Sequence, residues 1–180
     1  MSYRAGFAAI LGRPNAGKST LLNALTGAKL AIVAPKPQTT RTSIQGVVTT
    51  EQAQIIFIDT PGIHRSRTLL DRRMMGAVRS AAGAPDVVAF VIDALARFSD
   101  EDAHAVDLVK KIEAPAIAVF NKIDRLQEKP KLLALIESYR ALHEFAEYIP
   151  VSARTGGGLD ALQNAIASRL PEGSALYPAD

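Results

Sequence analysis

The stretch Gly12-Arg-Pro-Asn-Ala-Gly-Lys-Ser-Thr20 puts two glycines, a lysine and two hydroxyls into one short loop. Gly12, Gly17, Lys18 and Ser19 fill every fixed position of the pattern G-x-x-x-x-G-K-[ST]. The residue types follow from the chemistry of holding phosphate. Successive backbone N–H groups must turn inward around the oxygens, and glycine permits that path with no side chain in the way. The helix that follows offers unpaired N–H groups and the positive end of its dipole. Lys18 brings a full charge to the β- and γ-phosphates, and the Ser19 hydroxyl is a candidate Mg²⁺ ligand. Ala16 and Thr20, within the same string, join the expected phosphate-binding set. The pattern implies a nucleoside phosphate and says nothing of the base.

A carboxylate is needed beside the metal. The run "IIFIDTPG" (55–62) ends an apolar strand on Asp59, from which a carboxylate reaches Mg²⁺, often through water. Gly62 then brings its backbone N–H toward a γ-phosphate. The base is addressed by "AVFNKID" (118–124), at the strand end where α/β proteins bind ligands. Guanine presents N1–H and an exocyclic amine side by side, two donors that the Asp124 carboxylate can accept together. Adenine would leave that charge unmatched, a cost of several kcal/mol. Asn121 is placed to meet the base edge and to tie this loop to the phosphate loop, and the Lys122 stem to lie along the base plane. In "VSAR" (151–154), Ser152 is expected to brace the loop and the Ala153 N–H to meet the guanine carbonyl, with Arg154 completing the set.

Strands and helices must carry these loops. Apolar strand-like runs cover 6–11, 42–50, 53–59, 86–93, 115–120 and 147–152, and helical patterns cover 18–25, 71–83, 99–113, 128–145 and 158–170. Their alternation predicts an α/β fold: a six-stranded, mostly parallel sheet with helices on both faces. The short 42–59 hairpin makes one edge strand antiparallel. Ser99 and the acids after it suit a helix start. The tail "PEGSALYPAD" (171–180) breaks the periodicity and reads as a linker, leaving 1–170 as the nucleotide-binding domain.

Composition narrows the class. With 180 residues, 48% hydrophobic and 22% charged, the chain fits one globular domain. It has no cysteine, so thiolate metal sites and disulfides are excluded. The N-terminus lacks a signal-peptide layout and no run reaches membrane-span length, so a cytoplasmic location is expected. The net charge of +3 is too small to imply a nucleic-acid face by itself. Arg65, Arg67, Arg72, Arg73 and Arg79 do cluster, which fits RNA phosphates, a further domain or a solvated helix face.

Residues 5–178 resemble the Era-like family of bacterial, translation-factor-related GTPases, through "GRPNAGKSTLLNAL", "KPQTTR", "DTPGIH", "NKID", "PVSARTG" and "LPEGSALYPAD". The resemblance implies a P-loop G domain using GTP, GDP and Mg²⁺. It implies a KH-type RNA-binding domain beyond the linker, absent from this chain. It also implies 16S rRNA and the small ribosomal subunit as partners, peripheral membrane association, no DNA, and a monomeric G domain. By the same resemblance "AIVAPKPQTTRTS" (31–43) is switch I, with Thr40, or alternatively Thr39, completing the Mg²⁺ shell and serving catalysis. Ras-type GTPases carry a water-orienting glutamine where this chain has Ile63, so slow intrinsic hydrolysis is expected. His64 stands next to it. In relatives with the G-x-P-N-x-G-K-S form, the asparagine helps hold K⁺ near the phosphates, which assigns Asn15 that role. Water attacks the γ-phosphate in line while Lys18 and loop N–H groups stabilise charge. Der-like or MnmE-like GTPases are the near alternatives, and a P-loop phosphotransferase the remote one.

Overall fold

The structure, a computed structural model, describes residues 2–27, 44–59 and 85–178. Within them six strands form one sheet in the order β2-β3-β1-β4-β5-β6. These are β1 (Arg4–Gly12), β2 (Ile44–Thr49), β3 (Ala53–Asp59), β4 (Val87–Asp93), β5 (Ala116–Asn121) and β6 (Glu147–Pro150). All neighbours run parallel except β2 and β3. The expected α/β class and its antiparallel edge are both present.

Four helices are described: α1 (Lys18–Thr26), α2 (Asp100–Lys110), α3 (Lys129–Arg140) and α4 (Leu159–Ala167). They cover both faces, because alternate residues of each strand point to opposite sides. On one face Ala8, Ile10, Phe57, Val91 and Val119 meet Leu21 of α1 and Leu162 and Ile166 of α4. On the other, Leu11, Phe90, Ile92 and Phe120 meet Val106 and Val109 of α2 and Tyr139 of α3. The Tyr139 ring stands edge-on to Phe98, Phe120 and Phe90, at centroid distances of 5.1, 5.9 and 6.1 Å.

Several boundaries differ from the sequence expectation. Strand β1 runs from 4 rather than 6, because Arg4 and Ala5 pair with Ala53 and Gln54. Helix α2 stops at Lys110 and α3 at Arg140, short of 113 and 145. The apolar pattern continues past α3 because Phe145 is buried from the connection to β6, stacked 6.1 Å from Phe90, and periodicity cannot tell a buried loop residue from a helical one. Strand β6 ends at Pro150, and α4 spans 159–167 rather than 158–170.

The tail adds contacts that the sequence does not announce. The expected linker is bonded back onto the base of the sheet over its described part, 171–178. Ala5 N–H donates to Pro171 O at 3.1 Å, and Gly173 N–H to Tyr3 O at 2.9 Å. The wholly buried Gln54 side chain accepts from Leu176 N (2.7 Å) and Tyr177 N (3.0 Å) and donates to Tyr177 O (2.8 Å) and Thr49 Oγ1 (3.1 Å).

Candidate nucleotide site

Between β1 and α1 the chain runs through Arg13–Gly17. Gly12 packs its backbone onto β4, where a Cβ would sit 2.5 Å from Val91 O. Gly17 has φ 93° and caps α1 with no side-chain bond, and no acid stands in the first turn of the helix. The N-terminus of α1 therefore keeps its dipole and its N–H groups for an anion. Helix α2 is the opposite case: Asp100, Glu101 and Asp102 fill its first turn. Lys18 opens α1, half-buried, and Ser19 and Thr20 are exposed beside it. Asp59 closes β3, and the β1–β3 register sets it opposite Ile10, at the same sheet edge as the loop.

The base-recognition segment closes on that loop from β5. Asn121, 2% exposed, donates from Nδ2 to Ala16 O at 3.0 Å and accepts from Ala153 N at 3.1 Å through Oδ1. A Cβ on Gly17 would lie 2.4 Å from Asn121 Nδ2, so the glycine and the asparagine require each other. Lys122 leaves the strand with φ 74°, and its ammonium donates to Asn15 O at 2.8 Å and Asp93 Oδ2 at 3.0 Å. Ser152 Oγ donates to Asp124 Oδ1 at 2.8 Å and itself accepts from Thr155 N at 3.1 Å. One oxygen of an exposed carboxylate is thus oriented from a buried hydroxyl. Arg154 is exposed next to them.

The structure therefore gathers Asn15, Ala16, Gly17, Lys18, Ser19, Thr20, Asp59, Asn121, Lys122, Asp124, Ser152, Ala153 and Arg154 along one edge of the sheet. Two contacts differ from the sequence expectation. The Ala153 N–H, assigned to a base carbonyl, is given to Asn121, so a base would have to share it. Asn15 has φ 70°, and its carbonyl serves Lys122. Asn tolerates the left-handed region better than most residues, so this backbone role suits its type, and it leaves the side chain exposed on the loop. Thr39, Thr40, Gly62, Ile63, His64, the five clustered arginines and the expected helix 71–83 lie outside the described residues.

Two contributors escaped the sequence reading. Arg13, inside the phosphate loop, turns away from the phosphate side. It bonds Asp102 Oδ1 at 3.1 Å and pairs with Glu101, tying the loop to α2. Burial opposes its charge, but the hydrogen bond and field of Asp102, with Glu101, hold its pKa above the ordinary value. Asp102 also accepts from Ser99 N–H at 2.8 Å and from Ser99 Oγ at 3.0 Å, and its charge acts on the Tyr139 hydroxyl. Burial first, then the Asp102 charge, pushes that phenol far up, so it stays a donor. Nothing in the sequence signals a pairing across such a span. Asp93, the partner of Lys122, had a visible signal: "VVAFVID" ends an apolar strand on Asp, as "IIFID" does.

Residues 7–122 match the family model described as 50S ribosome-binding GTPase. GTPase Era of Trichlorobacter lovleyi is 44% identical over 179 residues, 99% of this chain and 60% of that protein. A crystal structure of Era with MgGDPNP and nucleotides 1506–1542 of 16S ribosomal RNA superposes with a TM-score of 0.80 at 41% identity. It is covered to 60%, and this chain to 98%. A variant of Aquifex aeolicus Era bound to GDP·AlF4⁻ gives a TM-score of 0.77 at 40% identity, over 97% of this chain and 60% of that one. The chain thus spans about three fifths of the length of these relatives.

Proposed function

The chain belongs to the GTPase family described as 50S ribosome-binding GTPase, and on that footing we propose that it binds GTP and GDP and hydrolyses GTP to GDP and phosphate as a molecular switch. One arrangement carries the guanine choice: Asp124, oriented by Ser152 Oγ at 2.8 Å, on a loop that Asn121 bonds to the phosphate loop. A carboxylate so held meets two adjacent donors and rejects adenine.

Lys18 and the N–H groups at the start of α1 bind the phosphates and stabilise charge as water attacks the γ-phosphate in line. Ser19, at the start of α1, and Asp59, at the end of β3, are the residues that would supply a hydroxyl and a carboxylate, oxygen donors of the kind Mg²⁺ takes. Thr40 or Thr39 would complete the set. The ion, when bound, neutralises charge on the β- and γ-phosphates. Gly62 offers a backbone N–H to the γ-phosphate. Turnover is slow, because Ile63 cannot orient water. Asn15, exposed on the phosphate loop, would hold K⁺ beside the phosphates.

The likeness to Era supports a role in small ribosomal subunit assembly with 16S rRNA as partner, residues 171–180 leading toward a KH-type domain. The same likeness supports a cytoplasmic, peripherally membrane-associated protein whose G domain is monomeric.

Calorimetric titration with GDP, ADP and XDP tests the reading. The wild type is expected to prefer GDP, and Asp124→Asn to shift toward XDP, whose extra carbonyl an amide can meet as donor. Preference of the wild type for ADP would refute it. Equal hydrolysis in KCl and NaCl would remove K⁺ alone.

A further inference from the structure

We propose that Asp93 is a positioning residue of the guanine-nucleotide site, acting through Lys122. The inference rests on the guanine reading above and adds to it a residue from a different strand.

Lys122 would be a poor wall for a base if left to itself. A lysine stem has many rotamers, and fixing it on binding costs about 1.5–2 kcal/mol of side-chain entropy. Here its ammonium is held at two points before any base arrives. Asn15 O accepts at 2.8 Å from the phosphate-loop side, and Asp93 Oδ2 at 3.0 Å from the end of β4. Asp93 cannot easily swing away. Its other oxygen accepts Leu95 N–H at 2.8 Å, closing the turn after β4. The β4–β5 ladder pairs Asp93 with Asn121, and Ala94 N–H donates to Asn121 O at 3.0 Å. The carboxylate is thus set by backbone on both sides, and Lys122 is set by the carboxylate.

The pair is not a solvated surface bridge. The Lys122 and Asp93 side chains are 28% and 26% exposed, so water screens them incompletely. A stem already immobilised across the base site loses less entropy when the nucleotide enters, and the gain appears mainly as slower release. The hydrogen bonds of the Asp93 carboxylate go to Leu95 N–H and to Lys122. Asp93 thereby fixes the side chain that meets the base.

The two carboxylate oxygens do different jobs, which makes the proposal testable. Asp93→Asn keeps an acceptor for Leu95 N–H but replaces the oxygen facing Lys122 with an amide that cannot accept. Asp93→Ala loses both. Fluorescent GDP is loaded onto wild type, Asp93→Asn, Asp93→Ala, Lys122→Ala and the double variant Asp93→Asn/Lys122→Ala. Dissociation is followed after chase with unlabelled GDP, and thermal melts are recorded on the same samples.

Asp93→Asn is expected to melt cooperatively, slightly below the wild type because a partly buried charge-assisted bond and some ligand stabilisation are lost, and to release GDP about three- to tenfold faster. In the Lys122→Ala background the same substitution is expected to change release less than twofold. Wild-type release from Asp93→Asn would overturn the proposal, whatever Asp93→Ala does, since only the turn would then matter. So would an equal effect with and without Lys122. A wild type that retains no GDP would overturn the guanine reading itself, and is recognised before any variant is compared.

Discussion

A Cβ on Gly17 would stand 2.4 Å from Asn121 Nδ2, on a backbone with φ 93°. Gly17→Ala therefore meets two penalties, left-handed strain of about 1–2 kcal/mol and displacement of Asn121 from Ala16 O. We expect a stability loss of about 2 kcal/mol by denaturant titration and GDP affinity at least about tenfold weaker by calorimetry. At this scale the sequence was legible where one side chain does one job. Gly17, Lys18 and Asp124 announce themselves by type and spacing. Asn15 and Lys122 were read by their side chains alone, yet both hold positive φ, and the Asn15 carbonyl anchors Lys122. Backbone angles of a loop are set by what closes on it, so they were not available from the string "GRPNAGKST".

Helices α1 and α2 show how an element prepares a site. The N-terminus of α1 is capped by glycine and free of acids, whereas three acids fill the first turn of α2. The acids of α2 are not idle charge: Asp102 joins Ser99, Tyr139 and Arg13, and so fastens the phosphate loop to a helix it never meets in sequence. Asp102→Ala leaves the Arg13 guanidinium without its hydrogen-bonded carboxylate and removes the side-chain half of the Ser99 cap, and a loss of about 2–4 kcal/mol is expected in guanidinium unfolding. Tyr139→Phe keeps the ring packing against Phe90, Phe98 and Phe120 and removes only the hydroxyl, so a change of no more than about 1 kcal/mol is expected in the same assay. The capping role of Ser99 and its acids was legible. The tie to Arg13 was not, because its partners lie across the domain and an arginine in a phosphate loop reads equally well as a phosphate ligand.

Over the whole molecule, the site assembles because a parallel sheet brings the C-terminal ends of β1, β3, β4 and β5 to one edge. The opposite edge is closed by residues 171–178, held by Gln54. Gln54→Leu keeps the volume and removes the clasp. Water can reach part of the freed backbone, so a loss of only about 1–2 kcal/mol is expected, with markedly faster chymotryptic cleavage near Leu176 and Tyr177. Unchanged cleavage would mean that the tail holds without Gln54. A lone glutamine in "AQIIFID" was the available signal, and its meaning depended on a tail that composition alone marks as linker. The amino-acid string by itself determined the α/β alternation, the glycine-rich loop between β1 and α1, and the acidic residue proposed to meet the base, since these are local patterns of period, glycine and charge. Only the tertiary structure decided that Arg13 pairs with the acids of α2, that Asp93 holds Lys122, and that residues 171–178 are hydrogen-bonded to the base of the sheet. Each of those depends on hydrogen-bond partners brought together by folding across long stretches of chain, and periodicity carries no record of them.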